Sequence, residues 1–201
     1  MSDIICVTNR RLTSETFLER IRTIASCHPA AVLLREKDLT EAEYEDLARS
    51  VTAICETYGV PCILHTYAEA AMRLKAEAVH LPLPILRGMS GEMKERFRVI
   101  GTSCHSLEEA WEAEQLGCTY LIAGHIYDTD CKENQPGRGL SFLRQVCGSV
   151  SVPVLAIGGI CAENAADVRS AGAAGLCVMS SCMTSEDVEG LLNALAETDR
   201  G

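Results

Sequence analysis

The sequence lacks an apolar run long enough for a membrane helix, since nowhere do about eighteen apolar residues follow one another. Basic residues are also scarce: 18 Lys and Arg stand against 28 Asp and Glu, for a formal charge of -10. This balance disfavours nonspecific binding to nucleic acid or to an anionic membrane surface. No basic segment leads into an apolar stretch near residue 1, as a secretory signal requires. We therefore expect a cytoplasmic protein that binds neither nucleic acid nor membrane.

Motifs for metal and redox chemistry are missing as well. The eleven cysteines contain no C-x-x-C, and their odd number does not fit a disulfide framework. Cys6, Cys62, Cys104 and Cys177 lie in apolar stretches, which is typical of small buried side chains. Neither His-x-x-x-His nor grouped carboxylates follow the apolar runs. The residues therefore predict no metal site.

What the sequence does contain is a regular alternation of short apolar runs with longer segments of helical period, as between residues 44 and 54. Eight such units, without a G-x-G-x-x-G after the first strand, favour a closed barrel over an open doubly wound sheet. We expect an α/β fold, a single (β/α)8 TIM barrel, with one domain over residues 1–201. The predicted strands are Ile4–Asn9, Ala31–Lys37, Pro61–Thr66, Ala78–Pro84, Val99–His105, Thr119–Ile126, Pro153–Gly159 and Gly175–Ser181.

Glycines and serines end the last two predicted strands, where barrels of this kind commonly bind phosphate. Gly158 and Gly159 end strand seven, and Ser180 and Ser181 end strand eight. Glycine lets backbone N–H groups approach an oxyanion closely, and a helix start adds partial positive charge. The pattern predicts a phosphate site, with a simple tight turn as the alternative interpretation of the glycine pair.

Cationic side chains follow two other strands. Arg35 and Lys37 stand two apart on one side of strand two, with Glu36 pointing away. If that side faces the barrel mouth, the pair can bind a second anionic group, and the Arg fork suits carboxylate or phosphate. Pairing with local acids is the alternative. Lys132, in the long polar stretch from Asp128 to Gly139, either reaches over a bound ligand or is solvated.

Among five histidines, His125 is the strongest candidate for catalysis. It lies near the end of strand six, directly after Gly124, whose missing side chain would leave room for a ligand. Imidazole titrates near neutrality and can exchange a proton without a cofactor. His65 is a second candidate, whereas His80, inside strand four, is expected to be a hydrogen-bonded group in or near the core.

Five segments, in this order, resemble the thiamine phosphate synthase and TenI superfamily: LREK, AVHLPLP, IGTSCHSLEEAWEAEQLGCTYLIAGHIYDTDCK, VLAIGGI and GLCVMSS. The resemblance covers nearly the whole chain. It implies one of two activities. Synthases of this superfamily couple a hydroxymethylpyrimidine diphosphate to a thiazole phosphate with magnesium, whereas the TenI group includes thiazole tautomerases that act one step earlier.

The chain departs from the synthase pattern at the positions that hold magnesium. Synthases typically carry Asn-Asp at the end of strand three and GQ-x-D after strand four, where this chain has His65-Thr66 and LPLP. Without the metal, a diphosphate leaving group would be poorly neutralised. GHIYDTDCK instead matches the TenI version, whose histidine is regarded as the acid/base, and that role maps onto His125. The resemblance therefore leads us to expect a thiazole tautomerase, an isomerase without metal or cofactor.

The expected reaction aromatises a 2-carboxy-thiazolylidene ethyl phosphate, and a small phosphorylated thiazole is the expected partner. A thiamine phosphate synthase and a noncatalytic regulatory binder of a phosphorylated ligand are the alternatives, while a sugar-phosphate isomerase rests on fold analogy alone. A homodimer is suggested only by the family. The expected site comprises His125 as base and acid, Gly158, Gly159, Ser180 and Ser181 for the phosphate, Arg35, Lys37 and Ser103 for the carboxylate, and Lys132 as a cover.

Overall fold

In the computed structural model, which describes residues 3–129, 132 and 135–196, eight parallel strands close into a barrel. Each strand pairs with the next along the chain, and the eighth pairs with the first. The predicted (β/α)8 barrel is thus confirmed. The strands are β1 (Ile4–Val7), β2 (Ala31–Leu34), β3 (Cys62–His65), β4 (Ala78–Leu81), β5 (Val99–Cys104), β6 (Tyr120–Gly124), β7 (Val154–Ile157) and β8 (Gly175–Val178).

All eight predicted strands are present, but each ends one to three residues earlier than predicted. At the end of β2, for example, the backbone N–H of Arg35 donates to the Thr8 hydroxyl oxygen at 3.0 Å instead of continuing the ladder. The sequence prediction was too long because the apolar and polar pattern continues into residues that have left the sheet. Those residues surround the barrel mouth.

Within the described residues, ten helices cover the outside of the barrel. The segment between residues 44 and 54 lies in α2, which begins with a capping box formed by Thr40 and Glu43. Two helices instead of one follow both β4 and β8. No helix in the described part of the chain has the length and apolar character to cross a membrane. The helices are α1 (Phe17–Ser26), α2 (Glu41–Thr57), α3 (Ala68–Arg73), α4 (Leu83–Gly88), α5 (Gly91–Lys94), α6 (Leu107–Gln115), α7 (Gly139–Ser149), α8 (Ala162–Ser170), α9 (Ser180–Thr184) and α10 (Val188–Ala196).

Apolar side chains pack in two layers, as continuous apolar strands predict. One layer lies between the strands and the helices and forms the larger core. The other fills the barrel interior and includes Ile5, Leu33, Ile122 and Cys177. Both faces of the strands are therefore buried, which leaves the strand ends as the places where polar side chains can gather.

Candidate active site

A cavity of roughly 650 Å³ opens at the carboxyl ends of the strands. Its size suits a small organic ligand. The sequence analysis selected the residues of this site by one rule, that the strand ends of such a barrel meet at a common mouth. Every side chain or glycine expected for binding or catalysis lines this cavity: Arg35, Lys37, Ser103, His125, Lys132, Gly158, Gly159, Ser180 and Ser181.

The charged side chains after β2 point to opposite sides of the chain, as the sequence predicts. Arg35 and Lys37 line the cavity, whereas Glu36 is buried on the other side. The Thr8 hydroxyl donates to Glu36 at 2.7 Å, and the Arg10 backbone N–H lies 3.1 Å from each carboxylate oxygen. Glu36 thus joins the loop after β1 to the end of β2. This contact holds the strand end that carries the two cations.

Three cations, Arg35, Lys37 and Lys132, form a group that we call the cation cluster. Partial desolvation lowers the pKa of Lys37, and the charges of Arg35 and Lys132 lower it further. No acid in the described part of the chain forms an ion pair with Lys37 or Lys132. The alternative of local acid pairing therefore gains no support for these two lysines. An anionic ligand would relieve the mutual repulsion of the cluster.

Two neutral imidazoles lie beside the cation cluster. The rings of His65 and His80 are stacked with their centroids 5.6 Å apart and their planes 16° from parallel. Burial lowers the pKa of His65 to about 2, and His80 and the cations add to this shift. Burial and the same cations lower the pKa of His80 to about 3. Both rings are therefore uncharged at neutral pH, so neither supplies positive charge to a ligand.

Two hydrogen-bond partners hold the His80 ring, which confirms the prediction of a hydrogen-bonded histidine in or near the core. Its Nδ1 lies 3.0 Å from the Tyr120 hydroxyl, and its Nε2 lies 2.9 Å from the Ser103 hydroxyl. Tyr120 fits inside the barrel because a Cβ on its strand partner Gly101 would lie 2.1 Å from the tyrosine ring. Sequence reasoning missed Tyr120, although a glycine in a strand interior is the signal that a bulky neighbour approaches.

His125 lines the cavity and also holds the loop that follows β6. Its Nε2 lies 3.1 Å from the Gln135 carbonyl oxygen, and its own carbonyl accepts the Arg138 backbone N–H at 2.9 Å. Lys132 belongs to the loop so anchored, in which residues 130, 131, 133 and 134 lie outside the described residues. A neutral ring that donates through Nε2 has only Nδ1 left as an acceptor. The imidazole would therefore bind the loop through Nε2 and have only Nδ1 left to accept a hydrogen bond from a ligand in the cavity.

Gly124 lines the cavity, as expected for a residue beside a ligand, but the place of its missing side chain is filled by protein. A Cβ at this position would lie 2.4 Å from Cγ2 of Ile157 and 2.8 Å from the Ile157 carbonyl oxygen. The space beside Gly124 is thus occupied by the neighbouring strand β7. Its glycine is needed for packing within the barrel wall.

The glycine pair after β7 has a packing role of its own. Gly158 has φ +102° and Gly159 has φ +64°, a backbone region that favours glycine. A Cβ on Gly158 would lie 2.3 Å from Cβ of His125, and one on Gly159 would lie 2.5 Å from the Asp128 carbonyl oxygen. The turn therefore packs directly against the residues after β6. Together with Ser180 and Ser181 these glycines form what we call the glycine–serine site, and phosphate binding there stays a prediction.

Carboxylates are nearly absent from the cavity. Glu109 is the one acidic side chain among the described lining residues, and it accepts the His105 backbone N–H at 2.6 Å. No group of three or more His, Cys, Asp or Glu side chains within the described ranges is placed to hold a metal ion. Magnesium prefers carboxylate and other oxygen ligands. The donor set at this mouth therefore does not fit the magnesium of the superfamily's synthases.

Comparison with known proteins places these features in a family. A family model described as Thiamine monophosphate synthase matches residues 4–182. Thiamine-phosphate synthase 2 of Streptococcus pneumoniae is 35% identical over 189 residues, covering 91% of this chain and 88% of its own. Thiamine-phosphate synthase of Clostridium acetobutylicum is 33% identical over 187 residues, covering 91% and 88%. The solved thiamine phosphate pyrophosphorylase from Pyrococcus furiosus has a TM-score of 0.84 at 31% identity and covers 98% of this chain and 94% of its own.

These relatives contradict the expected thiazole tautomerase, because they are named as synthases or as a pyrophosphorylase. The expectation gave decisive weight to missing magnesium ligands and to a histidine motif. Protein cations can also face a diphosphate, and Arg35, Lys37 and Lys132 stand at the same mouth. The chain belongs to the thiamine monophosphate synthase family.

Proposed function

We propose that this protein is a thiamine-phosphate synthase, a transferase that couples a hydroxymethylpyrimidine diphosphate to a thiazole phosphate. The names of the relatives at 35% and 33% identity support this activity. The observation that carries it is the presence of two groups suited to anions around one cavity. The cation cluster comes from the segments that follow β2 and β6, and the glycine–serine site comes from the segments that follow β7 and β8.

Two anion-binding groups match a reaction with two phosphorylated substrates. In the coupling, the thiazole ring nitrogen forms a bond to the methylene carbon of the pyrimidine. The bond from that carbon to the diphosphate oxygen breaks, and its electron pair leaves with the diphosphate. We assign the thiazole phosphate to the glycine–serine site, since that phosphate remains on the product. The cation cluster would stabilise the charge that develops on the leaving diphosphate.

The lining of the cavity between these groups suits flat heterocycles. Leu33, Ile122 and Ile157 contribute apolar surface to the wall, and the neutral His65 and His80 add two stacked rings. Ligand sites typically combine such apolar walls with a few polar anchors. Two uncharged rings can therefore meet on an apolar floor while their anionic groups are held at the polar ends.

The coupling transfers no proton to or from carbon, which changes the role proposed for His125. Instead of an acid/base step, we assign it a positioning role through its hydrogen bond to the Gln135 carbonyl. That contact would keep the loop with Lys132 near the leaving group. A direct catalytic role for His125 stays a prediction that kinetics can test.

The proposal is tested by supplying both substrates and measuring pyrophosphate release together with thiamine phosphate by mass spectrometry. Both products should form, and neither should form when the thiazole phosphate is omitted. Ser181→Ala should raise KM for the thiazole phosphate about tenfold to a hundredfold, because one hydrogen bond to a charged group is lost, while KM for the pyrimidine substrate is unchanged. The matched control Ser50→Ala, on the exposed face of α2, should leave both constants unchanged. Absence of both products with every substrate present would contradict the proposal.

A further inference from the structure

We propose that this protein binds the diphosphate group through its own cations, without a divalent metal ion. The inference rests on the proposed function and specifies how the leaving group of that reaction is neutralised. It is carried by two independent features of the barrel mouth, the lack of a magnesium ligand set and the presence of the cation cluster.

Within the described residues, the strand ends bring together no group of carboxylates of the kind that holds magnesium. His65 ends β3 and Thr66 follows it, and Pro82 follows β4 at the cavity wall. Glu109 is occupied by the His105 backbone N–H. Uncharged imidazole suits zinc and other transition metals, whereas magnesium is held by carboxylates, phosphates and water. Among the described residues, Glu109 is therefore the one carboxylate at the cavity, and no group of ligands is assembled there to hold this ion.

The cation cluster supplies the charge that a metal would bring. Arg35, Lys37 and Lys132 line one cavity. Desolvation lowers the pKa of Lys37, and the charges of Arg35 and Lys132 lower it further. Arg offers a planar fork that matches two oxygens of one phosphate, and each Lys offers a compact charge with three donors. A dication placed among these three groups would be repelled. A polyanion would be attracted by all of them at once.

The site is therefore organised for a polyanion with no metal bound to it. As the carbon to oxygen bond breaks, the negative charge that accumulates on the diphosphate oxygen would be met by N–H donors of the cluster. The bonds formed and broken are those of the proposed coupling, and no further reactant is needed.

The test is calorimetric titration of inorganic pyrophosphate into the purified protein, once with EDTA and once with excess magnesium. We expect binding in EDTA and no tighter binding with magnesium. Lys37→Gln and Lys132→Gln should each weaken binding about tenfold to a hundredfold, as expected for a lost charge-assisted hydrogen bond. Lys75→Gln removes the same charge before β4, at the opposite end of the barrel, and should leave the affinity unchanged.

Three outcomes would overturn the inference: binding only in the presence of magnesium, no binding in either condition, or equal weakening by Lys75→Gln. Coupling assays separate this failure from failure of the proposed function. Turnover in EDTA supports both. Turnover that requires magnesium overturns the inference and leaves the synthase activity standing. Metal-free pyrophosphate binding without coupling in any condition overturns the proposed function and leaves this binding mode standing.

Discussion

Lowering the pH from 7.5 to 5.5 should destabilise the fold through two histidines at the barrel mouth. His65 and His80 are 7% and 2% exposed, and burial lowers their pKa values to about 2 and about 3. An unfolded histidine has a pKa of about 6.5. Between these values the unfolded chain binds protons that the folded protein does not, so stability is lost as the pH falls.

The size of the effect follows from the unfolded value. At pH 7.5 the unfolded imidazoles are almost all neutral, so proton binding by the two rings does not lower the free energy of unfolding. At pH 5.5, about one unit below the unfolded pKa, protonation favours the unfolded chain by about 1.4 kcal/mol per ring. Both rings together should lower the free energy of unfolding by about 3 kcal/mol. Acidic groups with lowered pKa values, such as Asp38, lose their stabilisation only at lower pH.

Urea unfolding at pH 7.5, 6.5 and 5.5 measures this loss directly. The His65→Asn variant should show about half of this pH-dependent loss of unfolding free energy, since one buried ring is removed. His28→Asn, at an exposed position with φ +50°, should retain all of it and serves as the matched control. A free energy of unfolding that stays level across this range in the wild-type protein would refute the claim that both mouth imidazoles are neutral.

Two further predictions concern the packing between the ends of β6 and β7. Gly158→Ala should destabilise the protein by roughly 1 to 3 kcal/mol, because it places Cβ 2.3 Å from Cβ of His125 at a positive φ. Urea unfolding measures this loss, with Gly88→Ala as the control because its Cβ meets open space. Equal losses in the two variants would contradict the prediction. His125→Ala should raise KM for the pyrimidine diphosphate about tenfold and also lower kcat, because Lys132 is then held less firmly beside the leaving group. The same variant should speed protease cleavage of the loop after β6. His125→Gln, which can still donate to the Gln135 carbonyl, should recover most of both losses. A large fall in kcat at unchanged KM would assign the imidazole to the chemical step instead.

The fold could be predicted because its signals are local and repeated. Each strand of the barrel is a short apolar run, and each is followed by a helical segment, so the eightfold order was visible without any knowledge of contacts. The strand ends were placed too late, since pairing stops where a residue such as Arg35 bonds to Thr8. The division between α4 and α5 was also missed, because helices this short carry too few residues to show a period.

The sequence predicted which residues line the site, whereas it did not predict how they pack against neighbouring strands. One rule of barrel architecture gathers strand ends from all over the chain, and the nine expected residues do line one cavity. The packing of Tyr120 against Gly101 and of Ile157 against Gly124 depends on neighbouring strands, which no single stretch of sequence reveals. The reaction was misassigned for a related reason. Missing magnesium ligands are visible in the sequence, whereas the approach of Lys132 to Lys37 across the mouth is visible only in the fold.

Coupling of the two substrates at this mouth can be measured in a single-turnover reaction. Protein in molar excess over both phosphorylated substrates is mixed, quenched and analysed for thiamine phosphate by mass spectrometry, so that a trace of a host synthase cannot account for the yield. We expect rapid conversion of the limiting substrate to one equivalent of thiamine phosphate and one of pyrophosphate. Intact substrates after prolonged incubation, with and without magnesium, would contradict it.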